Sequence, residues 1–166
     1  MSRVVSKNYT DTPISGVTTL TLPRGKVNYR ADFRVKSEEP NEVLLTNMTS
    51  PIGFPENFRI GISDVANVYK GSNIDPAFCP PSKKGLSLLI QLTEMWKVTD
   101  TTDPSYEVCL PVSAHIVIKV PNNEAILASD VNALIGRLIS GAFETGSETN
   151  DRLQAMLRGS LLPKDL

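Results

Sequence analysis

The stretch from Leu110 to Leu161 constrains the fold most, because its apolar pattern changes there from strand-like to helix-like. Ala114, Ile116, Ile118 and Val120 recur at every second residue, which predicts a strand. Two stripes with the i, i+3, i+4, i+7 spacing of amphipathic helices follow. The first stripe comprises Val131, Leu134, Ile135, Leu138, Ile139 and Phe143, and the second comprises Leu153, Met156 and Leu157. A strand therefore leads into two helices, over residues 129–159, whose apolar faces need a cover.

The boundaries of these helices have their own signals. Ser129 and Asp130 offer side-chain oxygens to the free N–H groups of a first turn, so this pair is the predicted N-cap. Gly146 can end the first helix in the left-handed conformation, and Gly159 can end the second.

Upstream of the helices, the chain alternates like a series of antiparallel strands. Val17–Leu22 and Val27–Lys36, separated by a turn at 23–25, predict an N-terminal hairpin over residues 16–37. Residues 41–120 predict the remaining antiparallel sheet, interrupted by two long connections at 71–85 and 99–110. Strands followed by helices indicate an α+β protein.

Length and charge set further bounds. The chain of 166 residues fits one domain, 1–166, in which the polar residues 1–15 are expected to be flexible. Seventeen basic and eighteen acidic residues leave a net charge of −1, so nucleic-acid binding would have to come from one basic surface. No apolar run reaches the roughly 18 residues that a membrane span needs. Residues 1–7 lack the apolar core of a signal peptide, which favours synthesis in the cytoplasm.

The sheet needs more cover than two short helices give. A monomer could fold its own helices back over one face of the sheet. A dimer could instead exchange them, so that each subunit covers its partner. The pattern alone leaves both arrangements open.

Catalytic and cofactor chemistry has little support. The single histidine, His115, lies between apolar residues of a strand, and the sequence has no Gly-rich phosphate loop, HExxH, paired CxxC or GxSxG motif. We therefore expect no enzyme activity, no metal and no cofactor. Cys79 and Cys109 are not at metal-ligand spacing; they are either two unpaired thiols or, on exposed loops, a bridge between subunits.

The polar sides of the strands carry cations and amides, which suit a phosphate backbone and unpaired bases. Arg30, Arg34 and Lys36 line one strand, and Arg59, Lys97 and Lys119 could join them from others. The alternative is an ordinary solvated face, whose cations balance Asp32, Glu42 and Glu94.

The order of elements resembles the coat proteins of the small single-stranded RNA bacteriophages of the levivirus type. Leu110-Pro111-Val112 follows a long loop at the start of the last strand. Ser129-Asp130-Val131 opens a helix of suitable length, and residues 152–159 give a second, shorter helix. The strands between Val27 and Val98 have the expected order and number.

This resemblance implies an N-terminal hairpin, a five-stranded antiparallel sheet and two C-terminal helices exchanged between the subunits of a dimer. The apolar stripe residues named above would then form the dimer interface. The loop at 99–110 would meet its copies at the symmetry axes of an icosahedral shell. Some coat proteins carry disulfides between subunits there, which makes Cys109 a candidate, whereas Cys79 lies in a different connection.

The resemblance also implies that the sheet face opposite the helices binds a hairpin of the genomic RNA, represses translation and marks the genome for packaging. Alternation along the strands assigns seven residues to that face: Arg59, Ser63, Gln91, Thr93, Lys97, Lys119 and His115. Arg30, Arg34 and Lys36 face the RNA or belong to the hairpin.

The leading hypothesis is therefore a structural capsid subunit, located in the virion and assembled in a bacterial cytoplasm, with itself and single-stranded RNA as partners and no membrane. The alternative is a cytoplasmic dimeric module that binds RNA or protein without forming a shell.

Overall fold

The fold is a five-stranded antiparallel sheet followed by two helices, which confirms the α+β class. The computed structural model describes residues 5–7, 9–21, 24–103, 105–147 and 151–160. The chain, expected to form one domain, divides into two compact units: a sheet unit, Val27–Asn122, and a helical unit made of residues 1–26 and 123–166. Predictions that concern residues 1–4, 8, 22, 23, 104, 148–150 and 161–166 lie outside the described residues.

The sheet contains five strands in chain order, each paired with the next. Their bounds are β1 Phe33–Glu39, β2 Glu42–Asn47, β3 Asn57–Val65, β4 Gly85–Thr99 and β5 Glu107–Pro121. β4 and β5 pair residue for residue from Gly85 opposite Pro121 to Thr99 opposite Glu107. Pro111, in the middle of β5, fits because β5 is an edge strand, where a missing N–H can face outward.

The predicted N-terminal hairpin is wrong. The described residues of 17–22 form no strand, and Tyr29–Asp32 form one helical turn, α1, before β1 begins. Asn28 caps this turn by accepting from the Ala31 N–H at 3.1 Å. In this turn the centroid of the Tyr29 ring lies 4.8 Å from that of Phe33 and 4.7 Å from that of Phe58. Packing among these three rings therefore outweighs the strand-like alternation of the sequence. The first hairpin of the structure joins β1 to β2.

Both predicted loops have different bounds in the structure. The connection between β3 and β4 covers residues 66–84, contains a short 3₁₀ turn at Pro76–Phe78, and leaves Gly85 in the sheet. The second loop shrinks from 99–110 to 100–106 because the β4–β5 ladder extends to Thr99 opposite Glu107. Val108 and Leu110 continue the alternation of Val112 and Ala114 on the apolar side of β5, and the ladder with β4 holds them in the strand.

The helical unit contains α2, Ala128–Ser140, and α3, Asp151–Leu157. The N-cap is Leu127, two residues before the predicted Ser129, and Asp130 stabilises the start of α2 by accepting from the Leu127 N–H at 3.0 Å. α2 ends before Phe143, because Gly141 and Ala142 turn back to the carbonyls of Leu138 and Ile139. Gly146 does not end the helix, although its φ of 76° is left-handed.

Side chains inside the helical unit connect its two sequence segments. Arg137 of α2 forms an ion pair with Asp11 and lies over the Tyr9 ring, 4.5 Å from its centroid. Arg152 of α3 is buried and donates to the Thr145 hydroxyl at 3.2 Å and to the Gly141 carbonyl at 3.4 Å. A cavity of about 310 Å³ lies beside Arg152 and is lined in part by Ile14, Leu20 and Phe143.

Among the described residues, no helix combines the length and apolarity that crossing a membrane requires.

Candidate nucleic-acid interface

The strand register assigns every sheet residue to one of two faces, because residues directly opposite each other in an antiparallel ladder point the same way. The polar face consists of the even-numbered residues of β2 and the odd-numbered residues of β3, β4 and β5. The apolar face consists of the remaining residues of these four strands. The structure brings all seven predicted RNA-binding residues onto the polar face: Arg59, Ser63, Gln91, Thr93, Lys97, His115 and Lys119.

Five of these residues lie in two rows that run across the strands. Arg59 lies opposite Gln91, which lies opposite His115 on β5. Ser63 lies opposite Ser87, which in turn lies opposite Lys119. His115, Ser63 and Lys119 are exposed, while Gln91 is half-buried. Each row therefore ends on β5 with a side chain that can carry positive charge.

Sequence reasoning found only Thr93 of a third row, which carries hydrogen-bonding groups and no charge. Thr46, Asn57, Thr93 and Ser113 follow one another across β2, β3, β4 and β5. Asn57 precedes Arg59 by two residues, so alternation along β3 was a signal that could have found it. The Asn57 Oδ1 and the Arg59 Nε are both buried without a hydrogen-bond partner. An unsatisfied acceptor and donor thus lie two residues apart on the polar face, and such groups cost folding free energy.

Two cations of the polar face form ion pairs on that same face. Arg59 pairs with Glu42 of β2, and Lys97 pairs with Glu107 of β5 at 2.6 Å. The hydrogen bond from Arg59 lowers the pKa of the Glu42 carboxyl below its usual value, and the same bond raises the pKa of Arg59. By contrast, Lys119 and His115 have no acidic partner among the described residues.

The sequence also predicted that Arg30, Arg34 and Lys36 face the RNA or belong to the hairpin. Of these three, the register places Arg34 on the polar face, opposite Thr46. Its guanidinium donates to the carbonyls of Phe33 and Ala31, at 2.8 and 3.0 Å, and so satisfies the end of α1. The register of β1 shifts between Val35 and Ser37, and Lys36 lies in this irregularity. Arg30 lies in α1, outside the sheet.

The two cysteines lie in different surroundings. Cys79 ends the short 3₁₀ turn, and Cys109 lies in β5 opposite Lys97, on the polar face rather than in the loop. Both are half-buried and free. Within the described residues, no group of three histidine, cysteine or acidic side chains is arranged to hold a metal ion.

The predicted dimer-interface residues keep much of their apolar surface exposed. In α2, Leu134 is 55% and Leu138 65% exposed, and in α3, Leu157 is 81% exposed. Val131, Ile135, Ile139 and Met156 are half-buried, and Leu153 is 44% exposed. Phe143 lies beyond the end of α2 and lines the cavity of the helical unit, so it does not belong to the helical stripe.

Comparison with known structures decides the family. The chain is similar to the protein in the virus-like particle of bacteriophage AVE015, with 35% sequence identity and a TM-score of 0.84; the match covers 99% of this chain and 100% of that one. This chain belongs to the coat proteins of the levivirus-type RNA bacteriophages. The coat protein also has the fold of the protein in the virus-like particle of bacteriophage GQ-112, with a TM-score of 0.77 and 17% identity over 95% of this chain and 96% of that one.

No protein-family model matches the coat protein, and no curated protein is similar to it at a significant level. The structural relatives therefore carry the assignment. They indicate a structural role in a capsid rather than an enzymatic one, which confirms that expectation from the sequence.

Proposed function

We propose that the coat protein assembles as exchanged dimers into an icosahedral shell that encloses single-stranded RNA. The observation that carries this proposal is the 35% identity, over the whole chain, to a protein that forms a virus-like particle. The shell is the capsid of the virion and assembles in the cytoplasm of a bacterial host.

The dimer is supported by apolar surface that the described residues of one chain leave uncovered. On the apolar face of the sheet, Ile60, Ile62, Ile90 and Trp96 are all exposed by more than a third. In the stripe of α2, Leu134 and Leu138 are exposed as well. Helices from a second subunit, lying across the sheet, would remove both surfaces from water, at roughly 25 cal/mol for each Å² of apolar area.

The free edge of β5 gives the dimer a second contact. This strand is 15 residues long and pairs only with β4, so one row of its N–H and C=O groups is unpaired within the sheet. A long unpaired edge is a template for a further strand. Antiparallel pairing of β5 with its copy in the partner joins the two sheets into one.

RNA binding is supported by the chemistry of the polar face. Lys119 and Arg59 supply positive charge for phosphates, and the hydroxyl and amide groups of Thr46, Asn57, Gln91 and Thr93 can donate to and accept from base edges. Unpaired bases in a hairpin loop expose these edges. A hairpin of the phage RNA bound here would repress translation and mark the genome for packaging. Cys79 and Cys109 stay candidates for disulfides between subunits of the shell.

Expression of the coat protein alone tests this function. We expect uniform particles by light scattering and negative-stain microscopy, with absorbance that shows enclosed RNA. A discrete dimer that never assembles would contradict the shell and favour the RNA- or protein-binding module. A stable monomer would contradict the helix exchange.

Charge reversal then tests the RNA face separately from assembly. We expect Arg59→Glu and Lys119→Glu to form particles that contain less RNA per subunit, because phosphate is repelled from the polar face. Lys84→Glu, in the connection between β3 and β4, is the matched control and should leave the RNA content unchanged. Equal RNA content in all three variants would contradict the assignment of the face.

A further inference from the structure

The two ion pairs of the polar face share one geometry. Glu42 is the first residue of β2, and its cation Arg59 lies one strand away, opposite Leu44, two residues further along. Glu107 is the first residue of β5, and its cation Lys97 lies opposite Cys109, again two residues further along. A diagonal pair thus occurs twice, at two different ladders of the sheet.

Fold stability gives little reason for these pairs. The side chains of Arg59 and Glu42 are 42% and 39% exposed, and those of Lys97 and Glu107 are 54% and 51% exposed. Ion pairs with this much water access contribute little to the free energy of folding. Each carboxylate does, however, contact the charged end of its cation, which is the group that an RNA phosphate would pair with.

We propose that Glu42 and Glu107 are specificity-determining residues, which hold Arg59 and Lys97 so that RNA phosphates must displace a carboxylate to reach them. This inference rests on the proposed RNA binding at the polar face. Phosphate contacts carry no sequence information, so holding two cations lowers the affinity for any RNA. An RNA that also satisfies the uncharged row of Thr46, Asn57, Thr93 and Ser113 keeps its base contacts. The difference in affinity between matching and unrelated RNA therefore grows.

Lys119 differs from the two paired cations. Lys119 lies beside Ser63 and Ser87 and has no acidic partner among the described residues, so it offers one readily available phosphate contact.

The two ion pairs lie far apart along the sheet. Arg59 lies opposite Gln91 of β4, and Gln91 and Lys97 are six residues apart, which is about 20 Å in a strand. The two ion pairs should therefore act independently, and their effects should add.

The test measures binding of the dissociated, full-length coat protein to an unstructured single-stranded oligouridylate at a series of salt concentrations. We expect Glu42→Gln and Glu107→Gln each to bind about threefold to tenfold more tightly at low salt. Each freed cation should also steepen the dependence of log affinity on log salt by about 0.7. The double variant should show the sum, and its particles should contain more host RNA.

Two matched controls separate the ion pairs from net charge. Glu39→Gln removes the same charge from the same face, opposite Glu42, but releases no cation from a recorded ion pair. Asp64→Asn removes it from β3 on the apolar face. Both should keep the wild-type salt slope. If Glu39→Gln gives the same gain and slope as Glu42→Gln, net charge explains the effect and the proposal is overturned.

Arg59→Gln and Lys119→Gln distinguish a failure of this proposal from a failure of RNA binding at the face. If both weaken binding while Glu42→Gln and Glu107→Gln match the wild type, the RNA face stands and the specificity role of the carboxylates is overturned. If neither weakens binding, RNA does not use the polar face, and both proposals fail.

Discussion

The two faces of the sheet meet different demands although they share every strand. On the polar face, two cations have acidic partners within the chain, in the Arg59–Glu42 and Lys97–Glu107 pairs, while Lys119 has none among the described residues. On the apolar face, only a few side chains are fully covered, and Trp96 remains 55% exposed. The strongest charges of the polar face are thus partly neutralised within one chain, whereas much of the apolar face stays exposed. From this difference we expect self-association to depend on the apolar face and the proposed RNA binding to depend on the polar face.

The substitution with the largest expected effect is Leu138→Asp, which places a charge in the apolar stripe of α2. An aspartate at this position should abolish dimers and particles, because burying its charge at the interface without a partner costs several kcal/mol, about 3 or more. Ala133→Asp is the control, since residue 133 lies on the opposite side of α2 from the stripe and is exposed. Size-exclusion chromatography with light scattering measures the outcome. Particles from Leu138→Asp would show that the stripe stays in water in the assembled protein.

A smaller effect is expected on stability, and it is tested by alanine substitutions at two neighbouring residues of β5 that point to opposite faces. Ile118 is 6% exposed and Val117 is 49% exposed. Truncation of Ile118 to alanine should lower the free energy of unfolding by about 2–4 kcal/mol, because it leaves a cavity. Val117→Ala should lower it by about 0.5 kcal/mol. Urea denaturation followed by circular dichroism gives both values, and equal losses would contradict the distinction between the faces.

The smallest effect is the acid titration of the polar face. The hydrogen bond from Arg59 keeps the pKa of Glu42 below its usual 4.5, so the contribution of this pair is fully present above that pH. It is lost as the pH falls through the lowered pKa, because the carboxyl takes up a proton. We expect the Glu42 midpoint, measured by NMR in the dissociated protein, to rise in Arg59→Gln and to stay unchanged in Ile118→Ala. A midpoint of 4.5 already in the wild type would contradict the pair.

Alternation of side chains was enough to predict how residues divide between the faces. A strand repeats every two residues, so polarity alone placed Gln91, Thr93 and Lys97 together before any pairing was known. The same logic failed at Tyr29 and Phe33. Their spacing of four residues fits one side of a strand and equally one side of a helix. The contact of Tyr29 with Phe58, which is distant in sequence, favours the helical turn over a strand.

Ion pairing could not be predicted from the pattern. Glu42 and Arg59 are 17 residues apart, and only the register of β2 against β3 brings them together. The same holds for the uncharged row that contains Asn57. RNA binding by these residues and the disulfides of Cys79 and Cys109 stay predictions.

By itself, the sequence determined the α+β class, the two sides of the strands and the apolar stripes of the helices, because these depend on periodicities of two and 3.6 residues within short segments. The tertiary structure decided the start of β1, the length of the β4–β5 ladder and the partners of Arg59 and Lys97. These features depend on which distant residues lie opposite each other. Register is fixed by packing and backbone hydrogen bonds between segments, and no single segment contains that information.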